Sequence, residues 1–176
     1  PTPRHSHSTF LPPPPRLLPL PRVSLLAPRA PLLPPTPLGS PAVLSTHRFP
    51  FGAGIGWLKE GFEWSGQPYE GRGKRTDESL DAILEILDGG WVSRDGEFVK
   101  FGKIKMPPPP TQKVPVWIGG HTAVALRRTV RFASGWTSAM MGHDEFKALH
   151  AELTDMLLTA GKPTEGFQFQ VAPSDR

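Results

Sequence analysis

VPVWIGGHTAVALRRTVRFASGW, residues 114–136, decides the fold. It opens with Val114, Val116, Trp117 and Ile118, an apolar, β-rich run long enough for one buried strand. Gly119 and Gly120 free the backbone to turn sharply. Ala123, Leu126, Val130 and Ala133 then recur at near-helical spacing, with Arg127, Arg128 and Arg131 on the other faces. Gly135 is expected to end that helix, and Trp136 with Thr137 to begin another strand. Strand, glycine turn, helix, strand is the repeating unit of a parallel α/β protein. A glycine turn that feeds a helix N-terminus also gathers free backbone N–H groups, a common way to hold a phosphate.

On either side of this unit the pattern repeats. Toward the C-terminus, a helix is expected from Asp144, with Phe146, Leu149, Leu153, Met156 and Leu157 as its buried face and Gly161 and Pro163 ending it. Phe167, Phe169 and Val171 alternate as a last strand. Toward the N-terminus, four prolines at 107–110 make a stiff connector. Residues 91–104 alternate around Asp95 and Gly96 as a small β-hairpin. Before it, Leu80, Ile83, Leu84 and Leu87 form one helical stripe, with Thr76 expected as N-cap and Gly89–Gly90 as the stop. Residues 58–75 read as polar, turn-rich loop. FPFGAGIGW at 49–57 reads as a strand running out into Gly52, Gly54 and Gly56, without the spacing of the dinucleotide fingerprint.

Residues 1–49 are of another kind. Of the 23 prolines in the 176-residue chain, 15 lie in residues 1–50, where there are five arginines and no lysine or acid. The body therefore carries a formal −1 of the net +4, and no basic face belongs to a folded element, which argues against nucleic-acid binding. Proline interrupts each apolar run before a helix or central strand forms, and the Leu-rich portion is too broken to span a membrane or to serve as a signal peptide. Three readings stay open for this leader: plain disorder, a polyproline II ligand for an aromatic groove, and a GC-rich coding strand read in the wrong frame. No cysteine is present, so disulfides and thiolate metal sites are excluded.

FGAGIGWLKEGFE (51–63), PYEGRGKRTDE (68–78), GEFVKFGKIKMPPPP (96–110) and PVWIGGHTAVALRRTVRFASGW (115–136), in this order, resemble the luciferase-like monooxygenase family. The nearest branch is the one that uses the reduced deazaflavin coenzyme F-420. The resemblance covers about residues 48–176, with Gly61 and Gly71 standing where the family usually has acids. It implies a (β/α)8 TIM barrel, of which this chain would hold roughly the fourth to the seventh strands, an incomplete barrel behind the proline-rich leader. An open part-barrel exposes two sheet edges, so weak cofactor binding and poor solubility are expected of it. The resemblance further implies an oxidoreductase or monooxygenase acting on a small organic molecule with F-420 or FMN, a cytoplasmic location and, often, a homodimer. The alternative is a non-catalytic protein, a proline-rich interaction arm fused to a barrel remnant.

For the site, Gly119, Gly120, His121 and Thr122 are the expected phosphate seat, by backbone N–H groups at a helix start in a barrel's late loops. A plain tight turn capped by Thr122 is the structural alternative. Gly54, Gly56 and Trp57 lie at a strand end, which in a barrel faces the active site, and Trp57 either packs by the cofactor or fills the core. The three arginines of residues 127–131 either neutralise an anionic tail or form a solvated helix face. No histidine pair or carboxylate stands at ligand spacing, so no metal site is expected, and no residue is assigned to catalysis.

Overall fold

A computed structural model describes residues 22–25 and 50–173. Five parallel strands make the sheet, in the order β1 (Arg22–Leu25), β2 (Phe51–Gly54), β5 (Val116–Gly119), β6 (Gly135–Met141) and β7 (Gln168–Pro173). Helices α3 (Ala123–Phe132) and α4 (His143–Thr159) cross over between β5, β6 and β7. A longer excursion joins β2 to β5 through α1 (Lys59–Trp64), α2 (Arg72–Leu87) and an antiparallel pair, β3 (Val92–Asp95) with β4 (Lys100–Ile104). Strand–helix–strand repetition on a parallel sheet is the build of a (β/α)8 barrel, and the described residues form part of one.

Strand alternation divides the residues between two faces. Phe51, Ala53, Val116 and Ile118 pack against Leu80, Ile83 and Ile86 of α2. Trp136, fully buried, packs with Leu126 of α3, Leu153 and Leu157 of α4, and Phe169 of β7. These two clusters are the outer, helix-covered core. Their neighbours in sequence, Gly52, Trp117 and Gly135, lie side by side on the inner face. The Trp117 indole lies across Gly135, where an added Cβ would sit 2.6 Å from Nε1. Gly135 is therefore not the helix terminator expected from sequence. Helix α3 stops at Phe132, and Gly135 is the first residue of β6, bare because a tryptophan occupies its side-chain space.

Four further expectations need correction. Within the leader, Arg22–Leu25 is a strand, because the proline-free run between Pro21 and Pro28 is long enough for a short edge; the rest of the leader lies outside the described residues. Residues 59–64, read as loop, form the short helix α1 around the buried Phe62. Helix α2 begins at Arg72 rather than after Thr76. Gly71 adopts a left-handed conformation and its carbonyl accepts from Arg75 N–H at 2.9 Å, so Thr76 is buried inside the helix. The hairpin holds this early start in place, since the Glu78 carboxylate accepts from the N–H groups of Phe98 (2.8 Å) and Val99 (3.2 Å).

The α3 arginines are only in part a solvated face. Arg128 is buried, its guanidinium paired with the Asp77 carboxylate and donating to the Gly73 carbonyl at 3.2 Å. One helical turn on, Arg131 donates to Asp81 at 2.7 Å. Asp77 and Asp81 on α2 thus meet Arg128 and Arg131 on α3, locking the two crossover helices together. Arg127 and Arg131 are both exposed, and of these two it is Arg131 that is tied to α2.

Two outcomes follow for stability. Asp77→Ala strands the buried Arg128 and should cost about 2–4 kcal/mol, whereas Arg128→Met removes the charge itself and should cost much less. Urea unfolding of both variants checks this, and equal losses would contradict it. Gly135→Ala forces a methyl into the Trp117 ring and should cost about 1–3 kcal/mol by the same assay.

Candidate functional site

Because all five strands are parallel, their carboxyl ends share one edge of the sheet, the edge where βα loops gather in barrels. The register sets Leu25 beside Gly54, Ala53 beside Ile118, and Gly119 beside Thr137. Gly54 and Gly119, predicted as two separate parts of one site, therefore end neighbouring strands at the same level.

The β5–α3 loop is fixed by three local devices. Gly120 has φ of +125°, and a Cβ there would lie 3.0 Å from that of Ala125. No other residue takes this turn without strain. The buried Trp136 donates from Nε1 to the Gly120 carbonyl at 2.8 Å. In a trans peptide the next N–H points opposite to that carbonyl, so the His121 amide is directed away from Trp136. Thr122 is the N-cap, and its Oγ1 accepts from the Ala125 N–H at 3.2 Å. The Leu126 N–H goes to the Thr122 carbonyl at 2.9 Å. Ala123 and Val124 lie ahead of the first intrahelical acceptor, so helix geometry leaves their N–H groups without one. His121, Thr122, Ala123 and Val124 are all exposed.

The capped-turn alternative and the anion seat are thus not exclusive. Thr122 uses its hydroxyl as a cap, and the N–H groups of His121, Ala123 and Val124 remain for an outside acceptor. Bare backbone at Gly119 and Gly120 lets that acceptor approach closely. Free N–H donors at the positive end of a helix are the chemistry that an anion such as phosphate takes. Arg128 and Arg131 are committed to α2 and do not contribute.

Trp57 stands three residues past β2 and is 80% exposed, which rules out the core-filling role. Its carbonyl accepts from the Tyr69 hydroxyl at 3.4 Å. Beneath it the loop is well packed. Gly56 (φ +78°) lies on the Phe62 ring, Phe62 meets Tyr69 edge to face at 5.3 Å, and the Arg72 guanidinium covers Tyr69 at 3.7 Å. The loop is held while the indole is left open. Thr137, level with Gly119, and Gln170, level with Thr137, also share this edge and were not singled out from sequence. Alternation in residues 167–171 shows which face Gln170 takes, but only the long-range register brings it beside Thr137.

A cleft of about 590 Å³ lies elsewhere, between the C-terminal ends of α2 and α3 and the 110–116 connector. Leu87, Lys113, Val114 and Phe132 are among its walls. It opens at the amino ends of the strands, which in barrels is the stabilising face. Among the described residues, no group of three or more His, Asp or Glu could hold a metal ion, and no helix is long and apolar enough to cross a membrane.

Known proteins agree with this architecture. The chain is 37% identical over 147 residues to uncharacterised proteins of Mycobacterium tuberculosis and Mycobacterium bovis, a match that covers 84% of this chain and 50% of theirs. It thus spans about half the length of the curated relatives it matches. Among solved structures it superposes on the coenzyme F-420-dependent tetrahydromethanopterin reductase of Methanopyrus kandleri (TM-score 0.67, 22% identity, 82% of this chain and 46% of that one). It also superposes on the oxygenating constituent of 3,6-diketocamphane monooxygenase of Pseudomonas putida, solved with FMN (TM-score 0.70, 17% identity, 84% and 46%). At these identities the likeness is one of fold. Residues 41–174 match the family described as luciferase-like monooxygenase, and the chain belongs to that family.

Proposed function

We propose that the β2 and β5 strand ends hold the phosphate-bearing tail of a flavin-type cofactor, F-420 or FMN, in an oxidoreductase or monooxygenase acting on a small organic molecule. The observation that carries the reading is the β5–α3 loop. Its glycine conformation, its Trp136 tether and its Thr122 cap leave amide donors facing outward at a helix start. The solved relatives described as F-420-dependent and as FMN-bound share the fold and support a cofactor of this chemistry. When bound, such a cofactor supplies the hydride or oxygen chemistry itself; the protein binds, orients and shields it.

Each residue then has a defined task. Gly119 and Gly120 keep the approach free of side chains. The N–H groups of His121, Ala123 and Val124 receive the anion. Exposed Trp57, across from them on the neighbouring strand end, offers an apolar face for the cofactor's flat or aliphatic portion. Residues 50–173 serve as the barrel part that provides this phosphate side.

Gly120→Asp would confound binding with backbone strain, because φ at Gly120 is +125°. Thr122→Asp is the cleaner variant. Aspartate caps a helix as well as threonine does, so the fold is kept while a negative charge is set in the anion seat. Titrating FMN and phosphate-free riboflavin into the full chain to millimolar concentration checks it. FMN should bind at least about tenfold more weakly to the variant and riboflavin equally well. Unchanged FMN affinity would refute the phosphate assignment.

A further inference from the structure

The inner face of the sheet carries little side-chain bulk near the rim. Ile118, Trp136 and Phe169 form one level that turns outward to the helices. One residue further along each strand, Gly119, Thr137 and Gln170 form the next level, facing inward, with Gly54 beside Gly119. Two glycines followed by a threonine and a glutamine make a flat floor that acquires polar groups only toward β7. Thr137 has its methyl close to this floor, 3.6 Å from where a Gly119 Cβ would be.

Gln170 is the unexplained group on this level. Its Oε1 is buried and has no hydrogen-bond partner among the described residues. One level deeper on the same face, the Trp117 Nε1 is likewise buried without a partner. Buried polar atoms are nearly always paired, so an orphaned acceptor and an orphaned donor on one bare surface point to a ligand that supplies their complements. The floor selects the shape of that ligand. A planar ring can lie against glycine backbone, and an N–H on its edge supplies the donor that the Gln170 acceptor lacks.

We propose that Gln170 binds the ring edge of the cofactor, its Oε1 accepting the N–H of an imide-bearing planar ring that lies over Gly54 and Gly119. The assignment rests on the flavin-type reading above and adds a ring-side residue on β7 to the phosphate-side loop on β5. Gln170 is then the group that selects for an intact imide edge, while Thr122 and its neighbours select for phosphate.

The test titrates FMN and riboflavin into the full chain and into Gln170→Leu, following flavin fluorescence and the visible absorption band. Gln170→Leu should weaken both ligands by the same factor, about tenfold, since the lost contact is to the ring they share. It should also abolish the shift of the visible band that binding produces in the unsubstituted chain. Gln170→Glu keeps an acceptor oxygen at the same reach and should hold the loss to about threefold, which separates a lost acceptor from a perturbed strand. Equal affinity and an unchanged band in Gln170→Leu, or equal losses in the Leu and Glu variants, would overturn the assignment while leaving the phosphate seat intact. Failure of the unsubstituted chain to bind FMN, riboflavin or F-420 would overturn the flavin-type reading and this assignment with it.

Discussion

A single hydrogen bond, from the Trp136 indole to the Gly120 carbonyl, ties the core of this protein to the loop at the carboxyl edge of its sheet. Trp136 has no exposed surface. It stacks on Phe146 at 5.9 Å and meets Phe169 edge to face at 6.4 Å, so its position is set by α4 and β7 together. The indole N–H must find an acceptor when buried, and the loop after β5 provides one. That requirement turns the Gly120 carbonyl inward and the following amide outward. The loop geometry is thus a consequence of core packing rather than of the loop's own sequence alone.

The rest of the fold supports the same arrangement. The outer face of the sheet is packed by α2, α3 and α4, and the paired Asp77–Arg128 and Asp81–Arg131 contacts fix the spacing of α2 and α3. Helix α2 is in turn held at its N-terminal half by Glu78, which takes both amides at the hairpin tip. The inner face is sparse along β2 and β5 and at the start of β6, with glycines at Gly54, Gly119 and Gly135 and the Trp117 indole lying across Gly135. A packed exterior and a bare interior edge leave backbone accessible at the strand ends, as the proposed cofactor seat requires.

Much of this was legible in the chain. The VWIGG strand and turn, the 3.6-residue stripe in α2, the hairpin around Asp95 and Gly96 and the N-cap at Thr122 are local signals, and each appears where the periodicity placed it. What escaped was set by distance in the sequence. Arg128 looks solvent-facing until Asp77, 51 residues earlier, is brought against it. Gly135 looks like a helix stop until Trp117 is seen lying across it. Gly71 reads as a loop breaker, yet its left-handed conformation starts α2 four residues before the threonine that resembled a cap. Gln170 could be assigned a face by alternation, but its place beside Thr137 depends on strand register, which no local pattern encodes.

The proposed ligand edge is the carboxyl end of the parallel strands and not the cleft at their amino ends. Backbone amide NMR of the full chain, recorded while FMN is added, tests it most directly. The largest shift changes should fall on the amides of Gly120, His121, Ala123 and Val124. Changes concentrated instead at Lys113, Val114, Phe132 and Ser134, around the opposite cleft, would contradict it.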